Sequence, residues 1–108
     1  MNNLHLSPQV EKDLYEIKAY IEKDLENPQA ALSTIAKITK TIRRLREHTL
    51  IGASLSAIAN IDSDYRYLVS GNFIVFYRVV DKVIFIDRIL YGRRDYLRIL
   101  FADETEDA

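Results

Sequence analysis

Cysteine and tryptophan are absent from this sequence, and proline, histidine and glycine occur only two, two and three times. Without cysteine there are no disulfides and no thiolate chemistry. His5 and His48 each lack a companion at ligand spacing, so no metal site is expected. The glycines at 52, 71 and 92 are isolated, which excludes a glycine-rich phosphate loop and leaves them as turn residues. A serine triad lacks a credible base, because Ser54, Ser56, Ser63 and Ser70 lie in or beside loops with no histidine nearby. Long apolar runs are missing too. The longest, "FIVFY" at 73–77, has five residues, where a membrane helix needs about 20. The opening "MNNLHLSPQ" has no basic stretch leading into an apolar one, so no secretion signal is read and a cytoplasmic protein is expected.

What remains is ordinary in composition and uneven in charge. At 108 residues, 48 % apolar and 29 % charged, the chain suits one globular domain with one core. The formal net charge is -1, but the segment after Phe101, "ADETEDA", carries four acids and no base. Without that tail the remainder stands at +3. Residues 1–63 are balanced at eight basic against eight acidic, whereas residues 64–101 hold seven basic against four acidic, six of the seven being arginine. Arginine favours bidentate contact with phosphate or carboxylate. Two readings stand: an anionic partner, or arginines that pair with their neighbours on a sheet. The domain is expected over 1–101, and the acidic tail 102–108 is expected to be disordered.

Along the chain, "LHL" at 4–6 suits a short strand. Ser7-Pro8 then starts a helix, Ser7 as N-cap and Pro8 at the first position, where its missing N–H costs nothing. Val10, Leu14, Ile17, Ile21 and Leu25 form one apolar stripe to about residue 26. Asn27-Pro28 repeats the start signal, and Ala31, Ile35, Ile38, Ile42 and Leu45 mark a second helix antiparallel to the first. The "RRLR" cluster at 43–46 lies at its end, where the helix dipole favours cations. Residues 48–63 lack periodicity and read as a long connection.

Strand patterning follows. "YRYLVS", "FIVFYRVV" and "VIFIDRILY", separated by Gly71-Asn72 and Asp81-Lys82, read as three strands joined by tight turns, with a short helix after Arg93. The expected fold is α+β, in the order β-α-α-β-β-β, with a helical hairpin on one face of a small antiparallel sheet. Alternation through two-residue turns puts Tyr65, Tyr67, Val69, Ile74, Phe76, Arg78, Phe85, Asp87 and Ile89 on one face. Arg66, Leu68, Phe73, Val75, Tyr77, Ile84, Ile86, Arg88 and Leu90 fall on the other. Arg78 and Asp87 become diagonal neighbours fit for an ion pair, and Arg66 and Arg88 share a face without an acid. Both faces are largely apolar, so the one the hairpin leaves open needs a cover, either the C-terminal piece or a partner.

Paired carboxylates such as Asp13 and Glu16 read as a solvated helix surface rather than acid–base machinery. The arginines are interleaved with Tyr65, Tyr67, Tyr77, Tyr91 and Tyr96. Such a set can cradle a phosphate backbone or stabilise a phosphoryl transition state. Equally, tyrosine suits strands whatever the function. Arg93, Arg94 and Arg98, following Gly92, read as contacts to a partner.

Over residues 4–101 the segments "LSPQVEKDLYEIKAYIEKDLENPQAA" and "YRYLVSGNFIVFYRVVDKVIFIDRILYGRRD", with their order of elements, resemble the RelE/ParE superfamily of bacterial toxins. The resemblance implies the toxin of a type II toxin–antitoxin pair. Its partner would be a cognate antitoxin that wraps the toxin and carries any operator-DNA binding for the complex. No cofactor is implied. Two activities occur in the superfamily: RelE-like members cleave mRNA in the ribosome without metal, and ParE-like members poison DNA gyrase.

Several features lean the reading toward the gyrase poisons. RelE-like nucleases usually carry an arginine shortly after the glycine turn, where this chain has Phe73 and Ile74. The domain is barely basic for work on ribosomal RNA. Tyr91 replaces a histidine common in ParE-like sequences, whereas "GRRD" matches them. In the gyrase reading Arg93, Arg94, Tyr96 and Arg98 are the contact residues. In the nuclease reading Arg66, Arg88 and Arg94 stabilise phosphate charge on the open face, and Tyr96 is the acid–base group. A third reading is a non-toxic module that only binds its antitoxin.

Overall fold

The computed structural model of the chain describes residues 3–56, 63–92 and Leu100. Its elements run β1 (Asn3–Leu6), α1 (Pro8–Ala19), α2 (Pro28–Arg44), β2 (Ala53–Ser54), β3 (Arg66–Ser70), β4 (Phe73–Val80) and β5 (Val83–Tyr91). Both expected helix starts are present. Ser7 Oγ accepts from Val10 N–H at 3.1 Å, and Asn27 Oδ1 accepts from Ala30 N–H at 3.0 Å, each with a proline at the first position. After Ala19 the first helix continues as a π-helical turn, Tyr20–Asp24, which buries Ile21. Glu26, at φ 51°, then reverses the chain into α2.

The sheet has five strands in the order β1-β5-β4-β3-β2. Its two hairpins have the expected register, Ser70 opposite Phe73 and Val80 opposite Val83. Each turn opens in the left-handed region, Gly71 at φ 59° and Asp81 at φ 55°. Two features differ from the expectation. β1 pairs parallel with β5, His5 opposite Phe85, so the sheet is mixed rather than antiparallel. In addition, the segment read as an unbroken connection contributes the edge strand β2, paired with β3.

A bulge changes the faces. Phe76 opposes Arg88 while Tyr77 opposes Ile86, so β5 spends Asp87 as one extra residue. Beyond the bulge the alternation of β5 is shifted. Ile89 therefore joins Val75 under the helices and Leu90 joins Ile74 on the outer face, the reverse of the simple alternation.

The main core lies between helices and sheet: Val10 from α1, Ile38 and Ile42 from α2, Leu45 just beyond, and Val75, Tyr77, Ile84, Ile86 and Ile89 from the sheet. The outer face has its own cluster of Leu55, Phe76 and Leu90, with Tyr65, Tyr67, Ile74 and Leu100 packed against it. The chain thus supplies part of the cover that this face needs. Among the described residues, no helix is long and apolar enough to cross a membrane.

Ser7 ties the layers together, since its hydroxyl also donates to the Asp87 carbonyl in the bulge at 3.1 Å. Ser7→Ala removes a cap and this cross-link. The expected loss is about 1–2 kcal/mol, read as a lower urea midpoint at unchanged slope.

Candidate functional site

The bulge directs β5 toward α1, and there Asp13 meets it. The Asp13 carboxylate is only 4 % exposed. Its Oδ2 accepts from Arg88 Nε at 2.9 Å and from the Ile89 backbone N–H at 3.0 Å. Its Oδ1 accepts from Arg88 Nη2 at 3.1 Å and from Gln9 Nε2 at 3.1 Å. A carboxylate removed from water needs this saturation, because each unmet acceptor would carry its full desolvation cost. The Arg88 side chain, 23 % exposed, is gripped bidentately by an acid inside the fold. Asp13 is therefore not the solvated surface group that its charge suggested, and Arg88 does not share a face without an acid.

Arg66 is engaged differently. It lies opposite Tyr77, a core residue under the helices, not on the open face. Its Nη2 donates to the carbonyls of Gly52 at 2.6 Å and Leu50 at 3.2 Å, so a guanidinium clamps the segment entering β2. The buried Tyr77 phenol works on the same segment, accepting from Gly52 N–H at 2.9 Å and donating to the Thr49 carbonyl at 2.9 Å. A Cβ at Gly52 would lie 2.6 Å from both the Tyr67 carbonyl oxygen and the Tyr77 hydroxyl, so this glycine is set by close approach rather than by turn geometry. Arg66 Nε is buried with no hydrogen-bond partner among the described residues.

On the outer face Arg78 Nε donates to Asp87 Oδ2 at 2.6 Å, as expected for the diagonal pair. The guanidinium also lies 5.5 Å from the Phe85 ring centroid and 6.0 Å from that of Tyr65. Its hydrogen bond to Asp87 raises the Arg78 pKa despite partial burial. Burial first, and then the negative charge of Asp87, raises Tyr65 above its usual value, so this phenol stays neutral at physiological pH.

Of the residues put forward from sequence, Arg66 and Arg88 are thus both held by structural hydrogen bonds, Arg66 from a register position opposite Tyr77 and Arg88 from one opposite Phe76. Arg93, Arg94, Tyr96 and Arg98 lie outside the described residues, as does the tail 102–108. Sequence reasoning missed Asp13. The signal was its spacing: position 13 falls three after Val10 and four before Ile17, inside the apolar stripe of α1 rather than on its exposed face.

Comparison with known proteins gives a family match over residues 4–96 to the ParE toxin of type II toxin–antitoxin system, parDE. Among solved structures, the chromosomal ParDE TA system from P. aeruginosa superposes with a TM-score of 0.70 at 25% identity, covering 84% of this chain and 96% of that one. YafQ from E. coli strain BL21(DE3) aligns at 19% identity with a TM-score of 0.45, over 84% of this chain and 93% of its own. A search of curated proteins finds no match.

Three changes in stability are expected from these polar contacts. Asp13→Ala strands the partly buried Arg88 guanidinium and the Ile89 N–H and should cost about 2–4 kcal/mol, toward the lower end for a buried pair because Arg88 is partly solvated. Asp13→Leu combined with Arg88→Met should cost less than the two single changes together, as a double-mutant cycle in denaturant would register. Tyr77→Phe leaves the buried Gly52 N–H unpaired and should cost about 1–3 kcal/mol. The same variant should show faster amide exchange in residues 49–54.

Proposed function

Because the chain belongs to the ParE toxin family of type II toxin–antitoxin systems, we propose that it arrests growth by poisoning DNA gyrase, without nuclease activity. One observation carries the non-nuclease reading. The two sheet arginines that an mRNA-cleaving site would draw on are turned inward, Arg88 onto Asp13 and Arg66 onto two backbone carbonyls. Ile74, one of the two residues that stand shortly after the glycine turn where the nucleases usually carry an arginine, packs against the outer apolar cluster and offers no cation. A poison that works by holding its target needs a gripping surface instead. In this reading Arg93, Arg94, Tyr96 and Arg98 supply it.

The antitoxin would take the outer sheet face, where Val69 remains 62 % exposed beside the Leu55–Phe76–Leu90 cluster. Its apolar side chains suit that surface and its acids suit the arginines.

The test is induced expression without antitoxin, primer extension on cellular mRNA, and a DNA-cleavage assay with purified gyrase. Accumulated gyrase–DNA breaks with intact mRNA are expected. New 5′ ends within translated codons, lost in Arg94→Ala, would make the protein a RelE-like endoribonuclease. Normal growth on induction would leave only an antitoxin-binding module.

A further inference from the structure

We propose that the outward face of α2 binds the phosphate backbone of duplex DNA. Lys37, Lys40, Arg43 and Arg44 are all exposed. They lie opposite the side on which α2 buries Ala31, Ile38 and Ile42. From Pro28 to Arg46 the chain contains no acidic residue. Among the described residues, none of these four cations forms an ion pair.

The neighbouring helix shows that this is not the habit of the hairpin. α1 mixes signs, with Glu11, Lys12, Glu16 and Lys18 on its exposed surface, and Lys18 reaches Glu22 at 3.8 Å. On α2 the spacings are instead repulsive: Lys37 with Lys40, Lys40 with Arg43, and Lys40 with Arg44, at three and four residues. The helix dipole accounts for Arg43 and Arg44 in the last turn. It does not reach Lys37 and Lys40 farther up the helix. A polyanion removes the repulsion for all four.

The geometry favours a duplex. Lys37 to Arg44 spans about 10 Å of rigid helix, against one negative charge per ~1.7 Å of duplex axis. α2 contains no aromatic residue on which an unpaired base could stack, so single-stranded nucleic acid is not the better fit. The choice of DNA over duplex RNA rests on the gyrase reading, in which DNA is present at the target.

The test measures binding of the full-length toxin, freed of antitoxin and without gyrase, to a short random-sequence DNA duplex as salt is raised. Four phosphate contacts predict that log K falls against log salt with a slope of roughly −3 to −4. Lys37→Gln with Lys40→Gln should reduce that slope by about two contacts' worth, ~0.9 each, with an unchanged circular dichroism spectrum. Lys12→Gln with Lys18→Gln on α1 should leave it unaltered. Absence of binding at low salt, an unchanged slope in the α2 variant, or tighter binding to single strands or duplex RNA would overturn the proposal. Gyrase takes no part in this measurement, so a failed gyrase assay and a failed DNA titration point to different errors.

Discussion

The buried carboxylate of Asp13 is the contact on which the arrangement of helix and sheet depends. It joins the second turn of α1 to β5 through two donors of one guanidinium and a backbone N–H. That N–H belongs to Ile89, two residues beyond Asp87, the residue left over at the bulge. The bulge and the carboxylate therefore explain each other: an extra residue in β5 turns Ile89 inward, and the acid receives what the ladder no longer pairs. Ser7 closes the same corner from the other side of Asp87, since its hydroxyl bonds the Asp87 carbonyl. Hydrophobic burial drives the two layers together without direction. The Ser7 and Asp13 contacts fix which register of α1 against β5 results.

The three arginines of the described sheet divide by what meets them. Arg88 faces an acid, Arg66 faces carbonyls, and Arg78 faces an acid beside aromatic rings. In each case the neighbouring element determines the role, and residue type alone does not. Arg66 and Tyr77 act jointly on residues 49–52, where Gly52 leaves room for the phenol to reach the backbone. The cation and the phenol that look like a nucleic-acid site in one dimension thus anchor a loop in three.

Local signals were legible in the sequence and long-range ones were not. Ser7-Pro8 and Asn27-Pro28 announced both helices, and Gly71-Asn72 and Asp81-Lys82 set both hairpin registers, because each is chemistry within a few residues. The Arg78–Asp87 pair came out of the same alternation, as Arg78 lies on the turn side of the bulge and Asp87 is the residue at which the shift begins. Ile89, Leu90 and Arg88 lie past that point, and no turn residue marks it. The parallel partner of β1 was hidden for another reason: His5 and Phe85 are brought together by the whole fold. β2, only two residues long, has too little alternation to register. The charge of Asp13 points to the surface, but its place in the apolar stripe of α1 puts it inside.

The electrostatics of the described outer face reinforce the charge states that Tyr65 and Arg78 ordinarily have. A general base must be unprotonated near neutral pH in order to accept a proton, and enzymes tune groups toward that range. Here the shifts run the other way. Tyr65 is pushed up by burial and by Asp87, which makes its phenol less able to ionise. Arg78 is bound more firmly to its proton by Asp87. Both changes deepen the charge states these groups already have at pH 7. A fixed charge such as that of Arg78 is useful for adhesion, and so is the row of cations along α2. A toxin that grips DNA with one helix while other residues engage a DNA-bound enzyme would gain from both contacts at once, since the first makes the second effectively intramolecular.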